Sequence, residues 1–418
     1  MKKKMAKIVV ATLVAALLTG CGSTTEITND PVETEAELWA ENIKSRKTES
    51  VSETLNIDSF DEKFLEFISE NTEGNYMVSP LSFRYALGLL LAGAAGETKE
   101  ELLKALDVKT EEEWHDYCLD FNGFTELYND EAEKENTDRK GALKVANSVW
   151  KAAGINKNFE EGYRKTVEEN YAAEYRSFTE ENFVEKINEW ADIKTEHLIP
   201  NLLPENYPTA NLAVALVNAL YFKDSWVNKF SDGSTREGVF YTENGTTSSK
   251  EFMSVRNAFS YYEDEKTQCV ILPMNGGVSM AFVLGSTDGL ADKIAKAETE
   301  SVIVTIPKFE LETEFSNKEF VSFLGKNGVR RAFNDAEADF SAMMDYDIYV
   351  SDIIQKTKIK LDEDGVEAAA ATAVVMRTKS APLETQPKEF TANKPFSFFI
   401  YTTCNDTTAI MFAGEIVK

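Results

Sequence analysis

DEDGVEAAAATAVVMRTKSAPLETQPKEF, residues 362–390, is an unusual stretch to find shortly before the end of a chain. Four consecutive alanines follow a glycine and a single glutamate, and they favour a helix, whereas the β-branched residues after them weaken one. If residues 366–379 form a strand, every charge falls at an odd position, so one face can enter a core while the other stays in water. The stretch can therefore be exposed in one state and become a strand of a sheet in another.

The chain is strongly acidic. Its 418 residues carry a formal net charge of −27, and 43% of them are hydrophobic, which is enough for a sizeable core. Residues 1–20 contain four lysines and no acid, so without them 40 basic residues face 71 acidic ones and the net charge becomes −31. Such a surface repels nucleic acid and anionic lipid headgroups, and it favours a cationic partner.

The N-terminus predicts export. A lysine-rich start is followed by an apolar run at residues 8–18, which is too short to span a bilayer. The run ends in Leu18-Thr19-Gly20-Cys21, which resembles the lipobox of bacterial lipoproteins. We therefore expect a signal peptide at 1–20, lipidation of Cys21 and a flexible tether at 21–56. The alternative is an ordinary cleaved signal with an incidental cysteine.

This interpretation places the mature protein at the extracellular face or in the cell envelope. The lipid on Cys21 would be its only membrane contact, and the anchor would be either retained or lost by release.

The chemistry of an enzyme is not evident in the sequence. Besides Cys21, the cysteines are Cys118, Cys269 and Cys404, an odd number without CxxC spacing, so we expect free or buried thiols and no essential disulfide. Neither of the two histidines lies in HExxH, and no GxSxG, P-loop or GxGxxG pattern opens a helix. The sequence predicts no cofactor and no metal site.

In the body of the chain, the pattern of apolar residues predicts mainly helices in the first part and mainly strands in the second. This order favours an α+β fold. Ser79 and Pro80 resemble an N-cap and first-turn proline, and Thr98 with Glu101 forms a capping-box pattern. The expected strands are 212–222, 278–285 and 302–311, with a closing hairpin over 395–417. The continuous apolarity of residues 212–222 predicts a strand buried on both faces.

Seven segments, in order along the chain, resemble segments of the serpins. They are NYMVSPLSFRYALGLLLAGAAGET (75–98), INEWADIKTEHLIPNLL (187–203), LVNALYFKDSW (216–226), TIPKFELE (305–312), ADFSAM (338–343), IKLDEDGVEAAAATA (359–373) and NKPFSFFIY (393–401). The resemblance covers residues 57–418 and implies one large α+β domain with the serpin fold. That fold has three β-sheets, about nine helices and an exposed reactive loop near the C-terminus, here at about residues 363–390.

The resemblance implies two groups of functional residues. The loop begins with a hinge that inserts into the main sheet: Glu363, Gly365, Val366, Glu367, Ala368, Ala369, Ala370, Ala371 and Thr372. A polar cluster, the shutter, lies beneath the sheet that must open: Ser79, Ser82, Asn218 and Gln355. The family usually has a histidine at position 355. Because glutamine also donates and accepts hydrogen bonds, we expect altered tuning and no loss of the cluster.

The resemblance also places the bond that a protease attacks. In the family the scissile residue lies sixteen positions after the hinge glutamate, which gives Lys379 and the bond Lys379–Ser380. A basic residue there suits trypsin-like proteases. Because the stretch after Lys379 is longer than usual, Arg377, Val375 and Met376 are alternative scissile residues, and Val375 would favour elastase-like enzymes.

The implied function is suicide inhibition of a serine protease by a monomer that forms a covalent 1:1 complex, so the protein is expected to be an inhibitor and no enzyme. The rival is a non-inhibitory serpin that is cleaved as a substrate or acts as a binding module. The acidic stretch 121–138 disfavours activation by heparin-like polysaccharides.

Overall fold

The computed structural model describes residues 59–133, 141–210, 212–315, 317–366, 386–404 and 407–418. Within these ranges the chain forms eight α-helices. They are α1 (Ser59–Asn71), α2 (Pro80–Gly93), α3 (Gly96–Ala105), α4 (Glu111–Glu133), α5 (Glu161–Tyr171), α6 (Phe183–Lys194), α7 (Leu290–Ala295) and α8 (Asn317–Lys326). None of the described helices is long and apolar enough to cross a membrane.

Fifteen strands are described. They are β1 (Tyr76–Val78), β2 (Ala142–Ala152), β3 (Glu174–Phe178), β4 (Val214–Ser225), β5 (Arg236–Tyr241), β6 (Thr247–Glu263), β7 (Thr267–Pro273), β8 (Ser279–Gly285), β9 (Glu298–Pro307), β10 (Phe309–Phe315), β11 (Gln355–Leu361), β12 (Gly365–Val366), β13 (Lys388–Thr391), β14 (Phe396–Cys404) and β15 (Thr407–Ile416).

The strands form two hydrogen-bonded networks. One is a six-stranded sheet in the order β10-β11-β12-β4-β2-β3, hereafter the main sheet. The other has nine strands in the order β1-β15-β14-β8-β7-β6-β9-β13, with β5 also paired to β6. The long strand β6 divides the second network, because its end pairs with β7 while its beginning pairs with β5. These two parts and the main sheet correspond to the expected three sheets of the α+β fold.

Helix α2 lies between the two networks and contacts both β4 and β15. Its start is set by the predicted cap: the side chain of Ser79 accepts a hydrogen bond from the backbone N–H of Ser82 at 3.0 Å, and Pro80 is the first helical residue. Nearly every residue of α2 is buried, which explains why its sequence is apolar on all sides. The helix therefore forms the centre of the core.

Aromatic rings fix α1 and α8 against α2. The ring of Phe83 on α2 lies 4.8 Å from Phe64 on α1 and 4.7 Å from Phe320 on α8. Beside these rings, the Nε of Arg84 donates to Asp61 at 2.9 Å, and both side chains are fully buried. A charge pair survives burial here because each partner neutralises the other.

The outer face of the main sheet carries a ladder of opposite charges between β10 and β11. Lys356 lies 2.9 Å from Glu312, and Lys358 lies 3.2 Å from Glu310. The two strands pair along their whole lengths, from Phe309 opposite Leu361 to Phe315 opposite Gln355.

Three expectations about local structure were wrong in detail. Helix α3 begins at Gly96, so Thr98 lies inside it, and Glu101 binds the backbone N–H groups of Arg330 and Arg331 instead of closing a capping box. The expected strand 302–311 breaks at Lys308 into β9 and β10, which belong to different networks.

The third concerns β4, which is only partly buried over its first half. The burial prediction failed there because that half has β2 on one edge and no described strand on the other.

Candidate functional site

The main sheet is open between β4 and β11. Among the described residues these strands nowhere pair with each other, and only the two residues of β12 lie between them. Val366 is opposite Leu361 of β11 on one side and Asp224 of β4 on the other. The backbone N–H and carbonyl groups on the facing edges of β4 before Asp224 and of β11 before Leu361 therefore have no described strand partner. Unpaired edges of this kind can accept an added strand.

A cavity of about 520 Å³ adjoins the opening, beside the first half of β4 and the start of β11. Its walls come from α2, α6, the first half of β4 and the segment 346–355. The lining is mainly apolar, and it includes the polar side chains of Ser82, Asn218 and Gln355.

Gly365 is at the point where the chain turns from β11 into the opening. The backbone N–H of Asp362 donates to the carbonyl of Gly365 at 3.0 Å, which closes a tight turn. Gly365 has a φ of 152°, and a Cβ at this position would lie 2.1 Å from the carbonyl oxygen of Asp224. No other residue fits there without moving β4.

Glu363 anchors this turn to the rest of the molecule. Its carboxylate accepts a hydrogen bond from the hydroxyl of Thr235 at 2.6 Å and pairs with the ammonium of Lys308 at 3.1 Å. Burial alone would raise the pKa of Glu363, but the Thr235 hydrogen bond and the Lys308 charge hold it below its usual value. For the neighbouring Asp362 the balance is the opposite: burial raises its pKa and outweighs the hydrogen bond that its carboxylate accepts from the backbone N–H of Asp364 at 3.0 Å.

Further contacts fix the turn on both sides. Asp364 pairs with Lys229 at 2.8 Å, and the indole Nε1 of Trp226 donates to the carbonyl of Asp362 at 3.1 Å. Val366 is only 2% exposed. The start of the loop is thus held inside the sheet.

Gln355 joins β11 to the cap of α2. Its Oε1 accepts a hydrogen bond from the backbone N–H of Ser79 at 2.7 Å, and its Nε2 donates to the carbonyl of the same residue at 2.9 Å. Both residues are buried. The side-chain amide therefore satisfies both backbone groups of one residue, as a neighbouring strand would.

A second chain of hydrogen bonds runs from α2 across β4 to β2. The hydroxyl of Ser82 donates to Oδ1 of Asn218, whose Nδ2 donates to Asn147 at 2.7 Å. Asn147 in turn donates to the carbonyl of Tyr171 at the end of α5. The polar groups beneath the opening are thus connected to one another and to a helix end.

This combination of an open sheet, a strand-like hinge and a polar cluster beneath it agrees with the comparison with known families. The family model described as Serpin (serine protease inhibitor) matches residues 58–418. The chain belongs to the serpin family.

Individual serpins show the same relationship. Human Serpin B4 is 30% identical over 377 residues, which cover 83% of this chain and 94% of that protein. The horse leukocyte elastase inhibitor is 32% identical, and the match covers 82% of this chain and 92% of that protein. The crystal structure of Serpin48, described as a highly specific serpin in the insect Tenebrio molitor, superposes with a TM-score of 0.71 at 26% identity, covering 90% of this chain and 98% of that one.

The structure brings together part of the predicted serpin site. Ser79, Ser82, Asn218 and Gln355 line one polar cluster, and Glu363, Gly365 and Val366 form the turn into the opening. The other predicted residues lie outside the described ones: Cys21, Glu367, Ala368, Ala369, Ala370, Ala371, Thr372, Val375, Met376, Arg377, Lys379 and Ser380.

Sequence reasoning missed several partners of these residues. Asn147 is bonded to Asn218 of the predicted shutter, and Thr357, on the same strand as Gln355, donates to the carbonyl of Met77 at 2.7 Å. Thr235 and Lys308 hold the hinge glutamate. The only available signal was the polar residue Asn147 within the mostly apolar strand β2, since the other partners are ordinary surface residue types.

The Gln355–Ser79 pair predicts a graded loss of stability. Replacing Gln355 with Met leaves the buried N–H and carbonyl of Ser79 without these bonds, so the free energy of unfolding should fall by about 2–4 kcal/mol. Thr357→Val, which removes one hydrogen bond from the same strand, should cost about 1 kcal/mol. Urea denaturation followed by circular dichroism measures both. Equal losses in the two variants would contradict a double role for the Gln355 amide.

The hinge anchor predicts acid sensitivity. Because the pKa of Glu363 is lowered in the folded state, its stabilising contribution is complete above its unfolded pKa of about 4.3 and is lost as the pH falls through the lower folded value. Hydrogen exchange of the backbone around residues 363–366, corrected for intrinsic rates, should therefore accelerate below about pH 4.

Two variants separate this effect from general acid unfolding. Glu363→Gln should make exchange of the hinge faster at neutral pH and less dependent on acid. Asp362→Asn removes a group whose raised pKa acts with the opposite sign, and it should leave the acid-induced acceleration in place. An unchanged acid response in Glu363→Gln would count against the anchor.

Proposed function

We propose that this serpin is an irreversible, suicide-type inhibitor of serine proteases, with trypsin-like enzymes as its targets. The target would attack the Lys379–Ser380 bond, and the freed loop would insert between β4 and β11. The observation that carries the proposal is the position of β12, which already occupies the start of the insertion path between these strands.

The register of β12 supports the insertion path. Val366 lies opposite Leu361 and Asp224. If the loop inserted in the same antiparallel register, Thr372, six residues further on, would come to lie opposite both Gln355 and Asn218. An inserted loop would thus place a small hydroxyl side chain directly at the shutter. The buried side chain of Val366 sets the parity, so Thr372 would face inward, while Glu367, Arg377 and Lys379 would face solvent.

The chemistry would follow the ordinary course of a serine protease until the acyl-enzyme. The serine hydroxyl of the target attacks the carbonyl carbon of Lys379, the bond to Ser380 breaks, and an ester joins the two proteins. Insertion of the fourteen residues from Val366 then carries the ester over roughly 45 Å. Distortion of the catalytic geometry prevents hydrolysis, because small displacements of catalytic groups cost large factors in rate.

Energy for the transfer would come from the open edges of the main sheet. Each backbone hydrogen bond gained contributes about 0.5–1.5 kcal/mol, and the apolar cavity would be filled at the same time.

A second candidate is an elastase-like target that cleaves after Val375. Two of the relatives are named leukocyte elastase inhibitors, one from horse and one from human. Arg377 and Met376 are further alternative scissile residues, and cleavage after Arg377 would still suit a trypsin-like enzyme because this residue is basic. The choice among these bonds depends on the length of the loop.

A non-inhibitory role as a cleaved substrate or binding module is the alternative mechanism. It is disfavoured by the small residues at 368–371, because bulky or charged side chains at the inward-facing positions of the hinge would hinder insertion.

The proposal includes a location and a partner. We propose that the signal at residues 1–20 directs export and that lipidated Cys21 holds residues 57–418 at the cell surface through the tether. The partner would be one protease molecule per monomer, and the acidic surface would favour a cationic one.

The decisive experiment incubates the full-length chain with trypsin and, separately, with leukocyte elastase. Denaturing electrophoresis and mass spectrometry should show an SDS-resistant 1:1 complex with trypsin and a released peptide that begins at Ser380. Lys379→Ala should abolish the complex with trypsin. Cleavage without a complex would refute the inhibitory function, and a peptide with another first residue would relocate the bond.

The register predicts that the effect of a substitution in the hinge depends on the face of the inserted strand to which the side chain would point. Thr372→Arg would force a charge against Asn218 and Gln355, which slows insertion, so the fraction of protease trapped should fall at least tenfold while cleavage continues. Ala371→Arg is the matched control, since its side chain would face solvent in the inserted strand. Equal behaviour of the two variants in a titration of trypsin activity would contradict the register.

A further inference from the structure

The opening of the cavity to solvent has a composition unlike its interior. The exposed residues in its lining are Ala210, Tyr346, Asp347, Tyr349, Ser351 and Asp352. Tyr346 and Tyr349 are large side chains that remain about half exposed, at 49% and 51%. Two carboxylates and two aromatic rings therefore stand at the entrance of an apolar chamber.

Tyr207 connects this entrance to the interior. Its hydroxyl donates to the Oδ2 of Asp352 at 2.9 Å, which orients the carboxylate, and its ring lies 6.0 Å from that of Phe183 on α6. The chamber beyond is walled by Leu87, Leu90 and other aliphatic side chains.

The charges at this site have one sign. The described residues that line the cavity include no lysine, arginine or histidine. The nearby Lys157 pairs with Asp345, which does not line the cavity. Carboxylates and the faces of tyrosine rings both attract cations, and an apolar chamber of this volume is large enough for a small organic molecule.

We propose that this cavity binds small organic cations with an apolar body, of the alkylammonium or arylalkylammonium class. The cationic group lies at the entrance among Tyr346, Tyr349, Asp347 and Asp352, and the apolar body enters the chamber. Charge complementarity selects this class over carboxylates of the same shape, because an anion would meet two carboxylates and no basic partner.

A regulatory consequence follows, and it rests on the proposed inhibitory function. The chamber lies on the path of the inserting loop, so a bound cation delays insertion and gives the acyl-enzyme time to hydrolyse. The ligand therefore converts the inhibitor towards a substrate of its target protease.

Binding is tested first and without a protease. Isothermal titration calorimetry of the full-length chain with phenylbutylammonium should show saturable 1:1 binding, and phenylvalerate, which has the same phenylalkyl body and a carboxylate, should bind at least tenfold more weakly. Asp352→Asn and Tyr349→Leu should each weaken binding of the cation about threefold, and the double variant about tenfold.

The matched control is Asp345→Asn, which removes an exposed carboxylate close in sequence but outside the cavity. It should bind the cation as the unmodified chain does. Comparable binding of phenylvalerate, or equal weakening by Asp345→Asn, would overturn the site. Circular dichroism of each variant shows whether a loss reflects unfolding.

The second measurement counts the inhibitor molecules consumed per trypsin molecule inactivated. Phenylbutylammonium at about twice its dissociation constant for the unmodified chain should raise this ratio about threefold, and the same concentration should raise it by less than about half in the double variant, because the weaker site is mostly empty. If the cation binds but leaves this ratio unchanged, the regulatory consequence is refuted. If no SDS-resistant complex forms even without the cation, the inhibitory function fails, while the calorimetric result still decides the binding site.

Discussion

The hydrogen bonds that β4 and β11 do not make with each other are the feature on which the rest of the structure depends. A strand edge inside a protein normally pairs, because buried N–H and carbonyl groups without partners are costly. Here the two edges are held apart at one end by Gly365 and Val366. The hinge occupies this position because a glycine can touch the carbonyl of Asp224 and because Glu363, Asp364 and Trp226 fix the turn from outside the sheet.

Beneath the opening, side chains replace some of the missing strand partners. The Gln355 amide bonds to both backbone groups of Ser79, and Asn218 connects Ser82 to Asn147. An imidazole at position 355 could not satisfy the same pair of groups, since its two nitrogens point away from each other. In this chain it is therefore the amide of Gln355 that holds the start of α2 against β11.

Much of the fold and part of the site could be predicted from the sequence. The cap at Ser79 follows from local rules and is confirmed. Val366 is buried, in agreement with the period-2 pattern, and the rest of that pattern lies outside the described residues. The division at Lys308 was missed because the apolar pattern runs on through it, and only the tertiary structure assigns β9 and β10 to separate networks. The pairing of Glu363 with Lys308 was missed for a related reason: it joins residues far apart in sequence that have no distinctive pattern of their own.

The strand pairing between β10 and β11, together with its ladder of charges, limits where the main sheet can separate. Each exposed ion pair contributes little by itself, but the pairs lie along two strands that are hydrogen-bonded from end to end. On the other side, β4 is bonded to β2 over nearly its full length. Rupture of either boundary would break complete ladders, whereas the boundary between β4 and β11 has almost none to lose. Among the strands that the structure describes, the main sheet thus has one mechanically weak line, and an added strand would widen it while β10 and β11 moved together as one rigid pair.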